Sequence, residues 1–173
     1  MATSNVQIDK YLRSCPWYVG SYASDAMPDP ATLKPGSGLI VNTNAQGDDG
    51  VGHWIGILTP EPSRGKELLY FDAYGFQPDD TNPIMGVTTH FGAWCKRASE
   101  LAGQGGTYRT SDIEIECTLS TVCGELSAWF IKHRVLPARP DGSIVPVWQP
   151  IVRTMRDSGC KMGDRLIRTL VPM

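Results

Sequence analysis

Two short apolar runs, "HWIGIL" (53–58) and "ELLYFDAY" (67–74), flank the loop "TPEPSRGK". This pattern constrains the chain more than any other. Runs of aliphatic and aromatic residues of this length, separated by a loop with two prolines and a glycine, read as the two strands of an antiparallel hairpin. The flanks are nearly symmetric, so paired residues should have numbers that sum to about 125. On that register Ile55 faces Tyr70 and His53 faces Asp72. Directly opposed residues share a sheet face and lie close enough for an imidazole–carboxylate hydrogen bond. A one-residue slip would separate them, because it turns every side chain to the other face.

Around the hairpin, "NVQIDKYLRSC" has its apolar residues near helical spacing and is closed by Pro16. "GLIVNT" reads as a short buried strand, "GVTTHFGAWCKRASELA" as a helix ended by "GQGG", and "YRTSDIEIE" as an alternating strand. A helix follows Cys123, and at least one more lies in "VWQPIVRTMRDSGCKMGDRLIRTLVPM". This order predicts an α+β fold, a mixed β-sheet flanked by helices, built as a single domain over residues 1–173. No run of 18 or more apolar residues occurs, so no membrane span is expected. The start of the chain lacks the basic flank and apolar stretch of a signal peptide, which points to use inside a cell.

The five cysteines, Cys15, Cys95, Cys117, Cys123 and Cys160, are widely scattered and form no C-x-x-C pair. A zinc ribbon or redox dithiol is therefore not expected, no metal is implied, and most of the thiols should be reduced. Cys123 stands at the mouth of an apolar helix, in "STVCGELSAWF". A helix N-terminus favours an anion, and a thiol reacts as the thiolate. Ser120 and Thr121 are candidate caps, Gly124 would let a substrate approach the backbone, and the charge of Glu125 would raise the thiol pKa. A buried structural cysteine is the alternative. A thiol nucleophile needs a base, and the base needs an orienting acid. His133 lies about 15 Å along the same helix, out of reach. His90 lies in a helix-like segment, whereas His53 sits at the mouth of a strand and opposite Asp72.

Taken in order, "CPWYVGSY", "LIVNT", "GVGHW", "YFDAYGF" and "VCG" resemble the adenovirus-type maturation proteases, the adenain family, within the clan that includes the SUMO-deconjugating peptidases. The resemblance covers about residues 15 to 134. It implies a cysteine protease fold with the nucleophile at the N-terminus of a central helix. By position it makes His53 the base, Asp72 its acid and Cys123 the nucleophile, with Trp54 packed beside the site. The implied function is a viral cysteine endopeptidase that processes capsid and scaffold precursors, inside the host cell or virion, of a virophage or other double-stranded DNA virus, favouring small residues such as glycine near the cleaved bond. A deubiquitinase or deSUMOylase of the same clan, or a non-catalytic DNA-binding virion protein, are the alternatives.

The family places a glutamine six or seven residues before the nucleophile to help hold the oxyanion. Here those positions are Glu116 and Cys117. Glu116 must be protonated, point elsewhere, or leave the task to backbone N–H groups; a solvent-facing strand end is the favoured expectation. The cysteine that would anchor an activating peptide near Gly105 is missing.

The net charge of −2 conceals an asymmetry: residues 1–130 carry 8 Lys/Arg against 15 Asp/Glu, and residues 131–173 carry 8 against 3. Arg153, Arg156, Lys161, Arg165 and Arg168 fall within sixteen residues. No cofactor is required by the sequence, but the resemblance suggests DNA as a polyanionic cofactor for this cluster. With no aromatic residue after Trp148 to stack on bases, binding should be weak and non-specific. A monomer is expected.

Overall fold

The computed structural model describes residues 3–49, 52–82, 87–88, 91–111, 113–116 and 120–173. His90 and Cys117 lie outside the described residues. The elements run α1 (Asn5–Leu12), β1 (Tyr18–Tyr22), β2 (Gly38–Asn42), β3 (Trp54–Leu58), β4 (Leu68–Phe71), β5 (Thr81–Asn82), β6 (Val87–Thr88), α2 (Phe91–Leu101), β7 (Tyr108–Thr110), α3 (Cys123–His133) and α4 (Gln149–Leu170). Five strands form one sheet in the order β1-β2-β3-β4-β7, with the two outer pairs parallel and the two inner pairs antiparallel. The expected α+β architecture with a mixed, helix-flanked sheet is what the chain adopts.

Alternation along the strands creates two cores. Leu39, Val41, Ile55, Ile57, Leu68 and Tyr70 pack against Phe91, Cys95 and Ala98 of α2. On the other face Ile40, Leu58 and Phe71 meet Leu126 and Phe130 of α3, Ile8 and Leu12 of α1, and Ile151 of α4. Helix α3 lies so close over β3 that a Cβ on Gly56 would stand 2.6 Å from the Phe130 ring. This close contact fixes the height of Cys123, the first residue of α3, relative to the sheet.

Three expectations about elements need correction. The helix read from Gly86 onward starts only at Phe91, and Val87–Thr88 pair with Thr81–Asn82 in a small hairpin. The strand read over 108–116 ends at Thr110: Ser111 still donates to the Tyr70 carbonyl, but 115–116 bond to the Ala73 carbonyl, past the end of β4, rather than extending the ladder. The hairpin register is also two residues from the expected one: Ile57 pairs with Tyr70 and Gly56 with Phe71. A two-residue shift preserves faces, so His53 and Asp72 remain on one side as diagonal neighbours rather than opposed ones.

Candidate active site

Three chain ends meet at one end of the sheet: the start of β3, the exit of β4 and the N-terminus of α3. His53 directly precedes β3 and is buried. Its backbone is fastened to the end of β2, where its N–H donates to Thr43 Oγ1 at 3.0 Å and its carbonyl accepts from the Thr43 N–H at 2.9 Å. Asp72 follows β4 directly and is equally buried. Its peptide is clamped by Ser111, whose Oγ accepts from the Asp72 N–H at 3.1 Å and donates to the Asp72 carbonyl at 2.8 Å.

The diagonal pairing still closes the contact. His53 Nε2 lies 2.9 Å from Asp72 Oδ1, and that oxygen also accepts the Tyr74 N–H at 2.8 Å. In the turn that follows Asp72, the Tyr74 ring stacks on the imidazole with centroids 4.6 Å apart. With Nε2 donating to Asp72, Nδ1 is the nitrogen left for the thiol. The Cys123 sulfur, an imidazole nitrogen and a Glu116 carboxylate oxygen all lie within 4.8 Å of one another.

Burial alone would lower the His53 pKa, but its bonds to Asp72 and Cys123 outweigh that and hold the imidazole well above its ordinary value. Burial pushes the Cys123 thiol up, and the Glu116 charge adds to it. The hydrogen bonds from His53 and the Trp54 backbone N–H act in the opposite direction. Proton transfer from sulfur to Nδ1 therefore yields an imidazolium that Asp72 stabilises.

The short segment before α3 is braced from α4. Asp164 is buried and accepts from Ser120 Oγ, from the Thr121 N–H at 2.9 Å and from Thr121 Oγ1. Ser120 and Thr121 are thus occupied with Asp164 rather than capping α3, which has no side-chain cap. Arg168 reaches the Thr121 carbonyl and hydroxyl and pairs with Glu125 at 3.3 Å. Glu125 also accepts from Thr3 Oγ1 at 2.6 Å. Its charge is balanced by a cation, which offsets the raising effect on the thiol expected from the sequence.

Gly124 does not hold open space for a substrate. A Cβ there would stand 2.9 Å from Thr3 Cβ and 3.3 Å from Trp54 Cδ1, so the missing side chain admits the N-terminal segment and the indole. Trp54 packs beside the site as expected and donates from Nε1 to the Thr3 carbonyl at 2.9 Å.

Glu116 is fully buried, not a solvent-facing strand end. The 115–116 backbone donates to the Ala73 carbonyl at 2.8 and 2.9 Å, which carries the Glu116 side chain over the exit of β4 into the site. His133 stands at the far end of α3 against Trp129, away from the site. Arg153, Arg156, Lys161 and Arg165 are exposed on α4 and take no part in it, whereas Arg168 is part of the brace. Among the described residues Cys15 and Cys95 are buried free thiols and Cys123 is a partly exposed one, while Cys160 is disulfide-bonded. Sequence reasoning missed Tyr74, Ser111 and Asp164. Tyr74 stood within the quoted "YFDAYGF"; Ser111 and Asp164 gave no signal, the latter being a single acid in a helix read for its basic charge.

No family model matches the chain, and no curated protein matches it in sequence. Its fold is similar to that of the crystal structure of ASFV pS273R protease, with a TM-score of 0.53 and 18% identity. The match covers 77% of this chain and 57% of that one, so the chain spans a little over half the length of that protein.

Proposed function

We propose that the chain is a cysteine endopeptidase with Cys123 as nucleophile, His53 as general base and then acid, and Asp72 as the group that orients and stabilises the imidazolium. The observation that carries this reading is the buried hydrogen bond from Asp72 Oδ1 to His53 Nε2, with the Cys123 sulfur, at the start of a helix, within 4.8 Å of the imidazole. His53 takes the thiol proton, and the thiolate attacks a peptide carbonyl. Collapse of the adduct expels the amine, which takes the proton from His53. Water then releases the acyl group by the same base. The backbone N–H of Cys123, the first in α3, is one of those that the helix leaves without an internal partner, and it supplies a donor for the oxyanion.

The substrate class is the capsid and scaffold precursors of a double-stranded DNA virus, and the site of action the infected cell or virion. This part of the proposal is supported by the sequence resemblance and is consistent with a fold shared with a viral protease. Co-expression with a capsid precursor from the same genome, followed by mass spectrometry of the termini, tests it. Wild type is expected to generate new termini beside small residues, and Cys123→Ala to generate none while remaining folded. Iodoacetamide at neutral pH should label Cys123 ahead of Cys15 and Cys95, which are buried. Processing by Cys123→Ala would remove the assignment.

A further inference from the structure

Glu116 is the strangest residue of the site. A carboxylate beside a reacting carbonyl would repel the negative charge that develops there, yet this one is fully buried within 4.8 Å of the nucleophile and its base. Its two oxygens differ. Oε1 accepts the Val122 N–H at 3.0 Å, one residue before Cys123. Oε2 is buried and has no hydrogen-bond partner among the described residues. An ionised Oε2 in that state would be a buried charge with no hydrogen bond of its own, offset only by the charge on His53; a protonated Oε2 is a donor awaiting an acceptor.

We propose that Glu116 acts as a neutral carboxylic acid whose Oε2–H donates to the oxyanion of the tetrahedral adduct, together with the Cys123 backbone N–H. This rests on the peptidase reading above. When the C–S bond forms, the carbonyl π electrons move to oxygen, and the new anion is held by both donors. When the bond to the amine breaks, those electrons return, and the amine takes its proton from His53. Glu116 keeps its own proton throughout, so it stabilises charge without transferring anything.

The surroundings favour the neutral acid. Burial raises the Glu116 pKa to about 7, with the Asp164 charge adding to it, against the lowering influence of His53, the Val122 N–H and Ser120. The other titratable groups facing it are Cys123 from α3 and Tyr74 from the exit of β4. The negative charge of an ionised Glu116 also raises the Cys123 thiol, so protonating it favours the thiolate as well. Both effects have the same sign: as Glu116 ionises, near pH 7, the oxyanion loses a donor and the thiolate is disfavoured, so activity falls on the alkaline side.

The test is kcat/KM against pH for wild type, Glu116→Gln and Glu116→Ala on a peptide that wild type cleaves and Cys123→Ala does not. Wild type should fall about tenfold per pH unit above its limit. In Glu116→Gln, whose amide donates at every pH, that limit should move up by at least about one unit. Glu116→Ala should lose about 10²-fold at pH 6. An independent readout is the infrared difference between wild type and Glu116→Gln at pH 6, which should contain the carbonyl stretch of a protonated carboxylic acid. An unmoved limit in Glu116→Gln, near-full activity in Glu116→Ala, or absence of that band would each overturn the proposal. If wild type cleaves no peptide, the peptidase reading itself fails and takes the oxyanion role with it. The infrared band would then still report whether Glu116 carries its proton, so the two failures are told apart.

Discussion

At the scale of single residues, Asp72 bears the greatest geometric demand. One oxygen, Oδ1, serves both His53 Nε2 and the Tyr74 N–H, and the Asp72 peptide is held on both sides by one hydroxyl, Ser111 Oγ. Asp72→Asn keeps the shape but places an amide where the imidazolium needs an anion. The expected result is a loss of at least about tenfold in kcat with little change in KM, because the interaction strengthens only as His53 becomes charged. Asp72→Glu restores the charge but not the reach, and partial activity is expected. Steady-state kinetics of the two variants checks both statements, and equal activity of Asp72→Asn and wild type would take Asp72 out of the mechanism. The pairing of His53 with Asp72 was legible from the hairpin because a two-residue error in register leaves the faces unchanged. The environment of Glu116 was not legible: its burial follows from two bonds to the Ala73 carbonyl, a contact across more than forty residues that no local pattern records.

Among the elements, α4 does the least expected work. Its basic residues drew attention in the sequence, yet what it brings to the site is one acid, Asp164, and one of those cations, Arg168. Asp164 satisfies the Ser120 hydroxyl and the Thr121 N–H immediately before the nucleophile. Asp164→Ala strands the buried Ser120 hydroxyl and the part-buried Thr121 N–H, at a cost of about 2–3 kcal/mol. The melting temperature should fall by roughly 5–10 °C in a chain of this size. The nucleophile should also drift from His53, so kcat falls while KM holds; calorimetry and kinetics on the same preparation read the two effects separately. An unchanged kcat at the lower melting temperature would leave Asp164 a purely structural residue. The helices and strands themselves were largely legible, because apolar spacing marks them directly. Where it failed, at 87–88 and past Thr110, tertiary contacts decided the outcome: Val87–Thr88 pair with a strand, and 115–116 bond to the Ala73 carbonyl past the end of β4.

On the scale of the whole molecule, charge is divided between an acidic first part and a basic remainder. Arg153, Arg156, Lys161 and Arg165 face solvent, so their use as a weak, sequence-independent DNA surface stays a proposal with a simple test. Replacing Arg153, Arg156 and Arg165 by Ala should flatten the salt dependence of DNA binding by about one unit of slope per lost contact, and leave cleavage of a short peptide intact. Absence of salt-dependent binding by wild type at low ionic strength would reduce the cluster to a solvated face. Arg168 does not belong in that set, since its guanidinium already holds Thr121 and Glu125. Helix α4 is also not one rod. Gly159, at φ 67° and ψ 167°, interrupts it, a backbone position that favours glycine. A continuous helix of 22 residues would be a lever about 33 Å long. The interruption makes two shorter helices that need not share an axis, with Arg153 and Arg156 on one and Asp164 and Arg168 on the other. The segment that carries the exposed arginines is thereby set apart from the one that steadies the residues before the nucleophile, so each can be substituted without re-aiming the other.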